Sequence, residues 1–132
     1  MKIFLASFLE PHNFGHGKVI GIANGNKPPH IKCDTVFPPL IPSNEIMKNY
    51  NDMSVNDPKN ASKAFVRDFT AQLDTFCNNV QKVASEKGKK PVEVLPFVDG
   101  DTLASWEREV YTNYRPLVAS CLRKLGFNVE QH

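Results

Sequence analysis

Asp99-Gly100-Asp101 sets two carboxylates on either side of a glycine. That residue type serves general acid/base catalysis or holds a hard cation. His12 and His16 are four apart, and His30 and Cys33 are three apart. Imidazole and thiolate are the ordinary donors to zinc. Arg115 follows Asn113 and Tyr114, and a guanidinium matches phosphate through its planar fork. Ser7, Asn24 and Ser43 offer neutral hydrogen-bonding groups, and the Tyr114 ring could stack on a base.

Several of these have a plainer reading. His12 and His16 lie in a Gly-containing loop that would not align them, and one cysteine alone joins the His/Cys set. Neither a metal nor a cofactor is expected on that spacing. Asp101 is placed to cap a helix opening at Thr102, which would make Asp99–Asp101 a turn. Gly15-His16-Gly17-Lys18 has the composition of a phosphate loop. It precedes a strand, whereas a phosphate cradle precedes a helix, so it reads as a turn. Cys77 and Cys121 fall on apolar helical stripes and read as buried, inert thiols. Cys33, in a loop, is the cysteine with a setting for reactivity. The chain contains no Walker A loop, dinucleotide fingerprint, nucleophile elbow or zincin motif.

The elements that must position these groups follow from hydrophobic spacing. Ile3-Phe4-Leu5-Ala6 and Val19-Ile20-Gly21-Ile22-Ala23 are unbroken apolar runs, as in strands covered on both faces. Val92–Val98 reads as a third strand, at an edge because Pro96 lacks a ladder donor. Phe127-Asn128-Val129 adds a short last one. Phe65, Phe69, Leu73, Phe76, Val80 and Val83 predict a helix over Pro58–Lys87, with Asp57 as N-cap and Gly88 closing it. Lys87, Lys89 and Lys90 then lie at the negative end of its dipole. Asn44–Tyr50 reads as a shorter helix opening after Ser43.

Leu103, Trp106, Val110, Tyr114, Leu117, Cys121 and Leu125 predict a second long helix, Thr102–Leu125, interrupted by Pro116. Either it kinks at Arg115, or one helix ends near Thr112 and another begins at Pro116, with Asn113, Tyr114 and Arg115 at an amino terminus that favours anions. Asn24–Ser43 holds five prolines. A loop that long in a compact domain usually has a function. Phe37, Leu40 and Ile41 should pack it down.

The length of 132 residues suits a single domain, 1–132. A hydrophobic share of 41% and a charged share of 23% are those of a globular protein. A net charge of +2 without a clustered basic face argues against a dedicated nucleic-acid surface. The amino-terminal apolar run is too short for a signal-peptide core, and no segment is long enough to span a bilayer. Three widely spaced cysteines suggest a reducing compartment, hence the cytoplasm.

Met1–Ser7, Val19–Gly25 and Leu40-Ile41-Pro42-Ser43 leading into Ile46, Lys48 and Tyr50 resemble domain of unknown function 488. That family ends with a strand, a short acidic link, a Cys-His-Arg signature and a helix. The matching stretch here is Val94–Val98, then Asn113-Tyr114-Arg115, then Leu117–Gly126. Arg115 keeps the signature arginine, and Asn113 and Tyr114 replace its cysteine and histidine. The resemblance implies an α/β sandwich.

Together these features predict a small three-layer α/β sandwich with a mostly parallel, Rossmann-like sheet. Ligands of such sheets bind beyond the carboxyl ends of the strands. A nucleotide or other small phosphorylated ligand is expected there, held by Ser7, His12, Asn24, Ser43, Tyr114 and Arg115. One alternative is an enzyme acting on such a ligand with Asp99 and Asp101 as acid and base. The other is an accessory or inhibitor module that meets a protein partner through the Pro-rich segment around Phe37–Ile41.

Overall fold

The computed structural model describes residues 1–7, 17–22, 33–105 and 114–131. The strands are β1 (Lys2–Ser7), β2 (Val19–Gly21), β3 (Thr35–Val36), β4 (Thr102–Ser105) and β5 (Asn128–Gln131). The helices are α1 (Asn44–Ser54), α2 (Pro58–Lys87) and α3 (Arg115–Lys124). The strands form one five-stranded sheet in the order β3-β2-β4-β1-β5, every pair parallel. The fold is the expected α/β class.

The inner strands of the sheet, β1, β2 and β4, are short and largely buried. In β1, Ile3, Leu5 and Ala6 are fully buried. The register sets Leu5 beside Leu103, Ile20 beside Leu103, and Ile3 beside Val129. These residues share one face and one cluster with the helices, including Phe65, Phe69, Val118 and Leu122. The steps from β3 to β4 and from β4 to β5 cross the sheet in the same direction. Right-handed crossovers of that kind deliver α2 and α3 to a common face.

Local chemistry sets the helix bounds. Ser43 caps α1 by accepting from the Ile46 amide at 3.2 Å, and Asp57 caps α2 by accepting from Asn60. Pro58 opens α2, where a missing N–H costs nothing. Gly88 closes it at φ 65°, a left-handed conformation that a side chain would strain. The expected 58–87 helix is thus found, and the expected 44–50 helix runs on to Ser54.

Two expectations are corrected. Val92–Val98 is not a strand: Pro91–Glu93 forms a single 3₁₀ turn and the chain then bends. Pro91 and Pro96 deprive the segment of ladder donors, and Val92, Val94, Leu95 and Phe97 pack against the core instead. Thr102–Leu125 is not one helix. Thr102–Ser105 is a strand buried along its whole length between β1 and β2, and a separate helix starts at Arg115. The helical spacing of Leu103 and Tyr114 comes from two different elements. No strand lies at Val94–Val98, the stretch on which the family resemblance placed one.

The Pro-rich 24–43 segment holds β3 and a 3₁₀ turn at Pro38–Leu40. Phe37 meets Phe97 and Phe76 edge-on at 4.8 and 5.8 Å, and Leu40 is fully buried. Among the described residues, no helix is long and apolar enough to cross a membrane.

Candidate functional site

β1 and β4 are neighbours whose chains continue to opposite sides of the sheet, β1 toward β2 and β4 toward β5. That is the topological switch point, where an open α/β sheet leaves a crevice at its carboxyl ends. The last residues of the two strands, Ser7 and Ser105, are direct partners in the register. Both are buried, at 0% and 1% exposure.

Tyr114 and Arg115 enter this end of the sheet as the N-cap and first residue of α3. The Tyr114 hydroxyl donates to the Ile22 carbonyl, at the end of β2, at 2.6 Å, and it is hydrogen-bonded to Ser105. One phenol thereby ties β2, β4 and α3 together. Burial pushes its pKa well above the ordinary tyrosine value, against the opposing influences of the Ser105 hydrogen bond and the Arg115 charge. Its ring packs edge-on against Phe69 at 5.2 Å and beside Phe65 at 6.0 Å. The expected stacking of Tyr114 on a base is corrected: the ring belongs to the core, and the residue positions its neighbours.

Arg115 is 4% exposed and opens a helix with no acidic residue in its first turn. The backbone there is a meagre anion cradle. Pro116 has no N–H, and the Leu117 amide already donates to the Tyr114 carbonyl at 3.0 Å. The charge of this corner comes from the guanidinium and the positive end of the helix dipole.

Asp99 and Asp101 fall at the opposite end of the sheet, before the first residue of β4. Asp99 accepts from the Lys2 amide at 2.7 Å. Asp101 is fully buried and accepts from the Lys18 and Val98 amides, both at 2.9 Å. Gly17 lies so close that a Cβ there would overlap the Asp101 carboxylate and the Gly100–Asp101 backbone. These carboxylates lock the amino-terminal turns; the turn of the plainer reading is found, but Asp101 caps no helix, because Thr102 opens β4. Asp99 and Asp101, expected as acid and base, lie at the other end of the sheet from Ser7 and Ser105.

Ser43 spends its hydroxyl on capping α1, and its amide donates to Gln72 of α2. His12 and Asn24, expected as ligand contacts, lie outside the described residues, as do His16 and His30. Cys33 donates to the Thr35 carbonyl. Among the described residues, no group of three or more metal-ligating side chains is assembled. Ser105 was missed in the sequence because Thr102–Ser105 was read as helix. The signal was there: a Gly-containing turn followed by a short Thr-Leu-Ala run, much like Val19-Ile20-Gly21.

Comparison of the chain with family models, with curated proteins and with solved structures finds no match.

Proposed function

We propose that this chain binds a small phosphorylated ligand, of nucleotide or sugar-phosphate size, at the carboxyl ends of β1 and β4, with Arg115 as its anchor. The observation that carries this reading is the place of Arg115: a buried cation at the positive end of α3. A guanidinium matches a phosphate through its planar fork, and the amino-terminal end of α3 favours an anion. Ser7 and Ser105 are the neutral groups nearest in the topology, and Tyr114 sets the angle at which α3 approaches them.

We further read the chain as a divergent relative of domain of unknown function 488. With β4 at Thr102–Ser105, the order strand, link, Asn113-Tyr114-Arg115, helix follows the family's ending with a shorter link than Val94–Val98 would leave. Three cysteines without a disulfide suit the cytoplasm.

Thermal unfolding against inorganic phosphate, nucleoside monophosphates and sugar phosphates tests the reading. A ligand at 100 times its dissociation constant should add about 2.7 kcal/mol of stability. Arg115→Lys keeps the charge but loses the fork, and should weaken that gain at least tenfold in apparent affinity. An unchanged unfolding temperature across the panel, or a gain that Arg115→Lys leaves intact, opposes it.

A further inference from the structure

Cys77 lies in the middle of α2 and Cys121 in α3, and both are buried, at 5% and 4% exposure. Their Sγ atoms are in contact at 2.7 Å, though the thiols are free. Each also faces backbone of the other helix: the Cys77 thiol points at the Cys121 carbonyl and the Cys121 thiol at the Leu73 carbonyl. A small surface cleft of about 60 Å³ opens onto Cys121 between the helices, with Asp74, Leu117, Ser120 and Lys124 on its walls. Two thiols held together at the α2–α3 contact, one of them reached from outside, form an arrangement that the phosphate site does not use.

We propose that Cys77 and Cys121 are a dithiol that hydrogen peroxide closes, above neutral pH, to an intramolecular disulfide that locks α2 to α3. The small cleft favours hydrogen peroxide over a bulky disulfide as the oxidant. The Cys121 thiol takes one oxygen from peroxide, giving a sulfenic acid and releasing water. The Cys77 sulfur then attacks the Cys121 sulfur. The S–S bond forms, the S–OH bond breaks, and the hydroxyl leaves with the Cys77 proton as a second water. Overall, two thiols and one peroxide give one disulfide and two waters. Burial, reinforced by the neighbouring Cys77, holds the Cys121 proton on. Since the thiolate is the reacting form, the step is slow near neutrality and quickens as pH rises.

The test treats the full chain at about pH 9 with hydrogen peroxide at a dose that fully oxidises free glutathione in the same tube. Remaining thiols are then alkylated under denaturing conditions and weighed. Carried out on a Cys33→Ser background, it should show both thiols lost together with a mass decrease of two hydrogens. Dithiothreitol should restore both thiols. A peptide map should link the segments holding residues 77 and 121. The closed form should unfold about 10 °C higher, because the bridge spans a long loop. Two thiols still open to alkylation at that dose, or oxygen added to Cys121 without a link, would overturn the proposal.

Discussion

Arg115 and Asp101 are both buried charges, set at opposite ends of the sheet. Asp101 is fully buried, and its two oxygens accept from the Lys18 and Val98 amides. It organises backbone. Asp101→Ala should destabilise the chain by about 3 kcal/mol in urea titration, since unsatisfied buried amides cost about 1–3 kcal/mol each. Gly17→Ala should cost about 1–3 kcal/mol by crowding the same carboxylate. Arg115 is 4% exposed and is the first residue of α3. Tyr114 explains how that position is held. Tyr114→Phe keeps the ring contacts but gives up the Ile22 and Ser105 bonds, and should cost about 1–2 kcal/mol by the same titration.

At the scale of elements, α2 is the piece the sequence specifies most completely. Asp57, Pro58, the Phe65-Phe69-Leu73 stripe and Gly88 each carry their own local signal, and the helix starts and stops where they put it. Asp57→Ala should therefore lower stability by about 1 kcal/mol, read as a shift in the urea midpoint with unchanged slope. β4 is the opposite case. Thr102–Ser105 has four residues, it is buried between β1 and β2 and under the helices, and its neighbours continue a pattern with helical spacing. Nothing within the segment reports the strands on either side. The same blindness made a strand of Val92–Val98, whose Val92 and Val94 pack from a 3₁₀ turn and its end. The candidate site was legible in proportion. Ser7, Tyr114 and Arg115 follow from a clear first strand and from Pro116 restarting a helix. Ser105 depended on β4 and was lost with it. Asp99 and Asp101 followed the misplaced strand and went to the wrong end of the sheet.

Across the whole molecule, the parallel sheet sorts polar chemistry to its two ends. The amino-terminal end holds the carboxylate-locked turns, and the carboxyl-terminal end holds the serine pair with Arg115 at the switch point. Stability should follow pH on the alkaline side. Tyr114 has a folded-state pKa raised above that of the unfolded chain, so the unfolded state loses its proton first. The protein is unaffected by this group below about pH 10 and loses stability as pH rises further, by up to about 1.4 kcal/mol per unit. Chemical denaturation between pH 8 and 11 should show the fall, and Tyr114→Phe should make it shallower, leaving the part that the buried Cys121 thiol contributes. The most direct measurement of the central claim is a titration of the isotope-labelled chain with a nucleoside monophosphate and with inorganic phosphate, followed by amide NMR. The account requires shifts that concentrate at Ser7, Ser105 and Arg115, saturate, and shrink in Arg115→Lys. Shifts centred on Lys2, Lys18 and Asp99 at the other end of the sheet, or no saturable shift with either ligand, would contradict it.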